Sequence, residues 1–244
     1  MKTRYFQADT IAEKSREMRD SLASFTRGQT TFIPSRSALL VLDMQRYFLD
    51  ADSHAHIPSM DAILPNLNRL VAAYAEKNTP IVFTKHLNTK ENAGGMSRWW
   101  RDLISLDNPL SEIVPELETS KGHLIEKSQY DAFYETDLEE HLREKGVEQV
   151  VIGGVMTHLC CETTARSAFM RGFDVFFLID GAATYNEDFH RATLLNLAHG
   201  FARPVLCEEI LTATDPHPGP LPEREHPTDM LREEGIPSPF RGEG

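Results

Sequence analysis

Three residues of this chain have the types and settings to do chemistry together: Cys160, Asp43 and Lys127. Cys160 stands where an apolar run and a turn, in the string GGVMTHLCC, give way to a helical pattern. Backbone N–H groups at a helix start are unpaired and carry partial positive charge, which favours a thiolate and lowers the thiol pKa. A cysteine so placed is a candidate nucleophile. The plainer reading, a small apolar side chain in the core, suits Cys161 and Cys207. Cys161 leaves the helix roughly 100° away from Cys160, and Cys207 has no evident partner near it. Asp43 closes the apolar run ALLVL, where a carboxylate is costly unless paired or set in a cleft; alone, it also reads as a turn residue. Lys127 follows Leu124–Ile125 and alone reads first as an ordinary solvated lysine. An acid, an amine and a thiol on one edge would support attack on a carbonyl coupled to proton transfer.

The elements needed to gather them can be read from hydrophobic spacing. Ala38–Leu42, Ile81–Thr84, Val150–Ile152, Val175–Ile179 and Pro204–Leu206 are short apolar runs that predict strands. Between them, Ile63–Tyr74, Leu138–Lys145, Cys160–Arg171 and Glu187–Gly200 carry apolar residues at helical spacing, two closed by Gly146 and Gly172. This alternation predicts an α/β fold with a parallel sheet covered by helices on both faces. Active sites of such sheets lie at the carboxyl ends of the strands, where Asp43, Lys85–His86, Lys127 and Cys160 all fall. Asp9 is the predicted N-cap of an amphipathic helix reaching about Phe25, and 27–37 reads as a loop punctuated by Gly28 and Pro34. The expected division is an N-terminal helix and loop (1–35), one main domain (36–211) and a proline-rich tail (212–244). Seven of the 14 prolines lie in that tail, which predicts disorder.

Composition narrows the function. The chain has 244 residues and a formal net charge of -12, so it offers no basic excess for nucleic acid. No apolar stretch approaches 18 residues and no secretory signal opens the sequence, so no membrane partner and a cytoplasmic location are expected. Three cysteines, two adjacent, do not make a disulfide framework. Gly153–Gly154 lacks the G-x-G-x-x-G pattern of a dinucleotide site.

The strings VLDMQRYF, IEKSQYDAF and IGGVMTHLCCETTARSAFMRGF resemble the isochorismatase-like cysteine hydrolase superfamily over about residues 36–211. The resemblance implies a Rossmann-like three-layer fold with a six-stranded parallel sheet. It implies Asp43, Lys127 and Cys160 as catalytic residues, and a cis peptide between Val155 and Met156. The backbone N–H groups of Met156 and Cys160 would form an oxyanion hole. A metal-binding branch has an aspartate where Thr84 stands, so no cofactor or metal is expected; His54, His56 and His86 with Asp50 or Asp52 remain the alternative ligand set. The branch acting on isochorismate has glycine at the position of Cys160, although His158 and TTARSAFMRG resemble that branch. The expected reaction is therefore cysteine-dependent hydrolysis of a small amide or carbamoyl compound through a thioester. A vinyl ether hydrolase and a non-catalytic binding protein are the alternatives. Gln45, Phe48, Trp99, Trp100, Tyr130, Phe133 and His158 are the expected pocket residues, and a homodimer or homotetramer the expected assembly.

Overall fold

The computed structural model describes residues 1–26 and 30–214. In chain order the elements are α1 (Ile11–Ser21), β1 (Ser37–Leu42), α2 (Arg46–Leu49), α3 (Met60–Glu76), β2 (Ile81–His86), α4 (Met96–Trp99), β3 (His123–Lys127), α5 (Leu138–Glu144), β4 (Gln149–Val155), α6 (Glu162–Met170), β5 (Asp174–Ala183), α7 (Glu187–Gly200), β6 (Arg203–Val205) and α8 (Cys207–Thr214). The six strands form one parallel sheet in the order β3-β2-β1-β4-β5-β6. Strands β1, β2 and β4 are buried along their whole length. That agrees with the apolar runs at their centres and with helices on both faces.

Right-handed crossovers assign the layers. The chain steps one way from β1 through α3 to β2, and the other way from β4 through α6 to β5 and through α7 to β6. Helix α3 therefore covers one face, where α8 packs on it, and α6 and α7 pair on the other. The order reverses between β1 and β4, so a crevice opens beyond their carboxyl ends. These two strands are in register from Ser37↔Gln149 to Leu42↔Gly154. At Gly154 the backbone has φ +112°, and a Cβ there would lie 2.1 Å from the Leu42 carbonyl oxygen. Only glycine permits this approach.

The sequence reading needs four corrections. Helix α1 begins at Ile11 with Thr10 at its N-cap; Asp9 sits in the preceding turn, too far from the helix start to cap it. Helix α3 starts at Met60 and passes through Pro65. A proline at the sixth position gives up one bond to the Asp61 carbonyl, a loss set against the burial of Ile63, Leu64, Leu67, Leu70, Val71 and Tyr74 along the same helix. Cys160 does not open a helix: it lies in a π-helical turn, Thr157–Cys161, ahead of α6. Residues 212–214 end α8, a helix whose Cys207 and Ile210 are buried and which packs on α3. The rest of the segment read as a tail, and Gly28, lie outside the described residues. No helix among the described residues is long and apolar enough to cross a membrane. The Val155–Met156 peptide is cis, as the resemblance implied.

Replacing Gly154 tests the close seam between β1 and β4. Gly154→Ala combines a disfavoured backbone angle with a backbone clash, each worth about 1–3 kcal/mol. The melting temperature should fall by at least about 5 °C. Thermal unfolding followed by circular dichroism measures it, and an unchanged midpoint would contradict the geometry.

Candidate active site

Asp43 leaves the end of β1 with φ +51°, a conformation aspartate tolerates better than most non-glycine residues. Its backbone N–H donates to the Thr84 carbonyl at 3.2 Å, and the Thr84 hydroxyl donates to Asp43 Oδ1 at 2.6 Å. The side chains of Asp43 and Lys127 are 0% exposed, and Lys127 Nζ lies 2.8 Å from Asp43 Oδ2. The ammonium is the ion-pair partner of that oxygen, and the Cys160 thiol adds a hydrogen bond to the carboxylate. Lys127 sits at the end of β3, paired across from His86 at the end of β2. Its ammonium also donates to the Gln129 carbonyl at 2.8 Å and approaches Cys160 Sγ at 3.4 Å and His86 Nδ1 at 3.5 Å. Asp43, His86 and Cys160 offer ligand-type atoms within 4.8 Å of one another.

Burial and charge set the protonation states. Burial pushes the Asp43 carboxyl up, but the Lys127 ammonium, His86 and the Cys160 thiol together hold it below the ordinary carboxylate value. Burial lowers Lys127, yet Asp43 and then Cys160 raise it above the usual lysine value. The Cys160 thiol is pushed up to about 12, first by burial and then by the Asp43 carboxylate. This reverses the expectation of a thiol lowered by a helix start: Cys160 is not at one, and a carboxylate faces it. The resting site is thus a carboxylate, an ammonium and a neutral thiol. His86, lowered to about 4 by burial and then by Lys127, is neutral. Its Nε2–H donates to Asn88 Oδ1 at 2.8 Å.

A cavity opens beside Cys160, walled by Tyr47, Phe48, Trp100, Leu103, Ile104, Tyr130, Met156 and Leu159, with His54, His86, Asn88 and Asp102 among its polar residues. Of the expected pocket residues, Phe48, Trp100 and Tyr130 line it, and Trp100 Nε1–H donates to Tyr130 Oη at 2.8 Å. Four do not. Trp99 is 79% exposed, because neighbours on a helical turn diverge by about 100°. Phe133 packs in the core against Phe173 under the Arg171 guanidinium. Gln45 is buried, accepting from the His86 N–H at 2.9 Å and donating to the Ser111 carbonyl at 2.7 Å. His158 stacks on Phe189 with ring centroids 4.3 Å apart, and its Nδ1 lies 2.6 Å from Thr184 Oγ1. Cys161 is fully buried in the core. A larger hollow of about 850 Å³ lies by the amino ends of β2 and β3, lined by His123, His141 and Lys145; it is far from the strand ends that carry Asp43 and Cys160.

Sequence reading missed Thr84 and Asn88 as parts of the site, and named His86 only for its strand end and as a possible metal ligand. The available signal was their position: all three end or follow β2, the strand beside β1.

The alternative metal set does not assemble. His54 Nδ1 faces Tyr47 Oη at 3.0 Å and Asp102 at 3.3 Å, and His56 Nδ1 faces the Leu49 carbonyl at 3.1 Å. Among the described residues the one cluster with ligand-type groups is Asp43, His86 and Cys160. There the Lys127 ammonium already holds the cation's place, so the residues do not fit a metal ion.

The isochorismatase domain family model matches residues 37–209. Nicotinamidase 3 of Arabidopsis thaliana is 41% identical over 179 residues, spanning 71% of this chain and 86% of its own. Enterobactin synthase component B of Escherichia coli is 31% identical over 188 residues, 76% of this chain and 66% of its own length. Among solved structures, a pyrazinamidase of Pyrococcus horikoshii in complex with zinc superposes with TM-score 0.63 at 28% identity, covering 70% of this chain and 99% of that one.

The Asp43–Lys127 pair can be tested through stability. Because Asp43 is held below its unfolded value, the pair's stabilisation is present above about pH 4 and is lost as pH falls through the lower folded value. Lys127→Met leaves a buried carboxylate without its ammonium, and burial then raises its pKa. The variant should be about 3–5 kcal/mol less stable near pH 7, and the gap should narrow toward about pH 4.5, where the stranded carboxylate takes a proton. Urea unfolding at the two pH values measures this. A gap that widens on acidification would count against the pair.

Proposed function

The chain belongs to the isochorismatase family of hydrolases, and we propose that its own reaction is hydrolysis of a small, flat amide through a thioester on Cys160. The observation that carries the reading is the neutral Cys160 thiol beside the Asp43 carboxylate, opening onto an apolar cavity. Asp43 takes the thiol proton as Sγ attacks the amide carbon. Met156 and Cys160 both line the cavity, and their backbone N–H groups receive the developing oxyanion. Asp43 then passes the proton to the departing amine and activates the water that cleaves the thioester. Lys127 keeps Asp43 ionised at rest and faces the sulfur once it is charged.

The cavity wall favours an aromatic or similarly planar acyl group, since Phe48, Trp100 and Tyr130 offer flat apolar surface. Nicotinamide, the compound in the Arabidopsis relative's name, is the first substrate to try. Isochorismate carries two carboxylates, whereas the only basic lining residues among those described are His54 and His86. His54 is lowered by burial, His86 is neutral, and Asp102 adds negative charge. Desolvating a dianion there would be costly.

Side-by-side assays of nicotinamide, other primary amides and isochorismate check the reading; turnover of isochorismate alone would sink it. Cys160→Ala should abolish hydrolysis, while Cys161→Ala, altering a core side chain, should keep at least about a third of it. Equal losses would remove Cys160 as the nucleophile. Activity should also survive prolonged EDTA, because Lys127 holds the place of a cation; recovery of lost activity with zinc would contradict this. The rate should stay level well below pH 6, since Asp43 remains ionised there, and in Lys127→Met the acid limb should move to higher pH.

A further inference from the structure

Residues 1–6 precede the family match, yet they run beside the site. The N–H groups of Tyr5 and Phe6 both donate to Ser59 Oγ, at 3.0 and 3.1 Å, just ahead of α3. Arg4 pairs with Asp61 at 2.6 Å, the Thr3 N–H donates to the Tyr185 carbonyl at 2.8 Å, and Lys2 donates to the His54 carbonyl. The segment thus bridges the start of α3 and the end of β5. Phe6, fully buried, supplies the apolar anchor. The Tyr5 hydroxyl is not needed for that anchor, and burying it unbonded would be costly.

That hydroxyl instead sits at the branch point of two chains of bonds. In one, Tyr5 Oη and Thr157 Oγ1 each lie 3.1 Å from His190 Nδ1, and the tyrosine hydroxyl also bonds Thr157. In the other, the Thr184 N–H donates to Tyr5 Oη at 3.0 Å, and Thr184 Oγ1 lies 2.6 Å from His158 Nδ1. Both chains end on the π-turn Thr157–Cys161 that carries Cys160. We propose that Tyr5 is a positioning residue for this turn, holding the Met156 and Cys160 N–H groups in register with the oxyanion through Thr157 and His158. The proposal rests on Cys160 being the nucleophile. It also gives His158 its role, behind the turn and not in the cavity.

Two reagents separate positioning from general loosening. With p-nitrophenyl acetate the Sγ–C bond forms, the ester C–O bond breaks, p-nitrophenolate leaves and the thiol proton passes to Asp43; a tetrahedral oxyanion lies on the path. With iodoacetamide the Sγ–C bond forms as iodide leaves, the thiol proton again going to Asp43, and no oxyanion develops. Tyr5→Phe keeps the ring and removes only the hydroxyl. It should slow p-nitrophenolate release at least about tenfold, as a small misplacement of an aligned group does, and leave Cys160 alkylation within about twofold, read by mass on the intact protein. Thr157→Val should show the same pattern with no larger loss, and the double variant should cost no more than Tyr5→Phe alone, because the tyrosine hydroxyl joins both chains and Thr157 lies on one of them. Wild-type rates with both reagents in Tyr5→Phe, or an equal fall in both, would overturn the inference and leave Cys160 standing. A wild-type protein in which Cys160 reacts with neither reagent would overturn the nucleophile, and this inference with it.

Discussion

An ion pair with no solvent contact sets the terms for the rest of this structure. Removing an ammonium and a carboxylate from water costs several kcal/mol for each ion, and mutual attraction offsets that cost only when geometry and further hydrogen bonds are right. Lys127 and Asp43 meet at 2.8 Å, and the remaining donors and acceptors find Thr84, Gln129 and the approach to Cys160. Those partners come from the ends of β1, β2 and β3 and from the turn after β4. A sheet displaced by one residue would strand a buried charge, so the pair fixes register as well as chemistry. The seam at Leu42 and Gly154 does the same job from below: it brings the strands of Asp43 and the π-turn closer than any side chain would permit.

How far this was legible depends on what kind of information each feature needs. Unbroken apolar runs such as ALLVL imply strands buried on both faces, and the alternation with helical periods implies a parallel sheet. A polar residue closing such a run stands out locally, which is why Asp43 and Lys127 could be named. Strand order needs contacts across the chain, yet the carboxyl-end rule already placed the acid, the amine and the thiol on one edge. The π-turn could not be read from spacing, since its five residues look like the first turn of α6. The direction of the Cys160 shift was misread for a related cause. A local argument from helix ends contains no carboxylate, and the one that faces the thiol arrives from another strand. Trp99 and Trp100 are adjacent and alike in sequence, and only the backbone angle of a short helix sends one to solvent and the other to the cavity. Tyr5 looked like part of a separate leading segment because its partners, Thr184 and His190, are remote in sequence.

A neutral resting thiol is no obstacle to nucleophilic chemistry in this setting. The ordinary gap between a thiol near 8.5 and a carboxyl near 3.9 makes moving the proton from sulfur to oxygen cost about 6 kcal/mol. The move also carries negative charge from 2.8 Å to 3.4 Å from the same ammonium, which adds about 1 kcal/mol at an effective dielectric near 20. The site widens the gap further, pushing the thiol up to about 12 and holding the carboxyl below its ordinary value, yet a turnover of roughly 10 per second allows a barrier of about 16 kcal/mol, which leaves room for the shift. The net charge of the cluster does not change during the shift, and the surrounding apolar wall has no solvation to rebuild. The ammonium that makes this workable is the same group that keeps the carboxylate soluble in the core, so the stability of the fold and the readiness of the site rest on one contact.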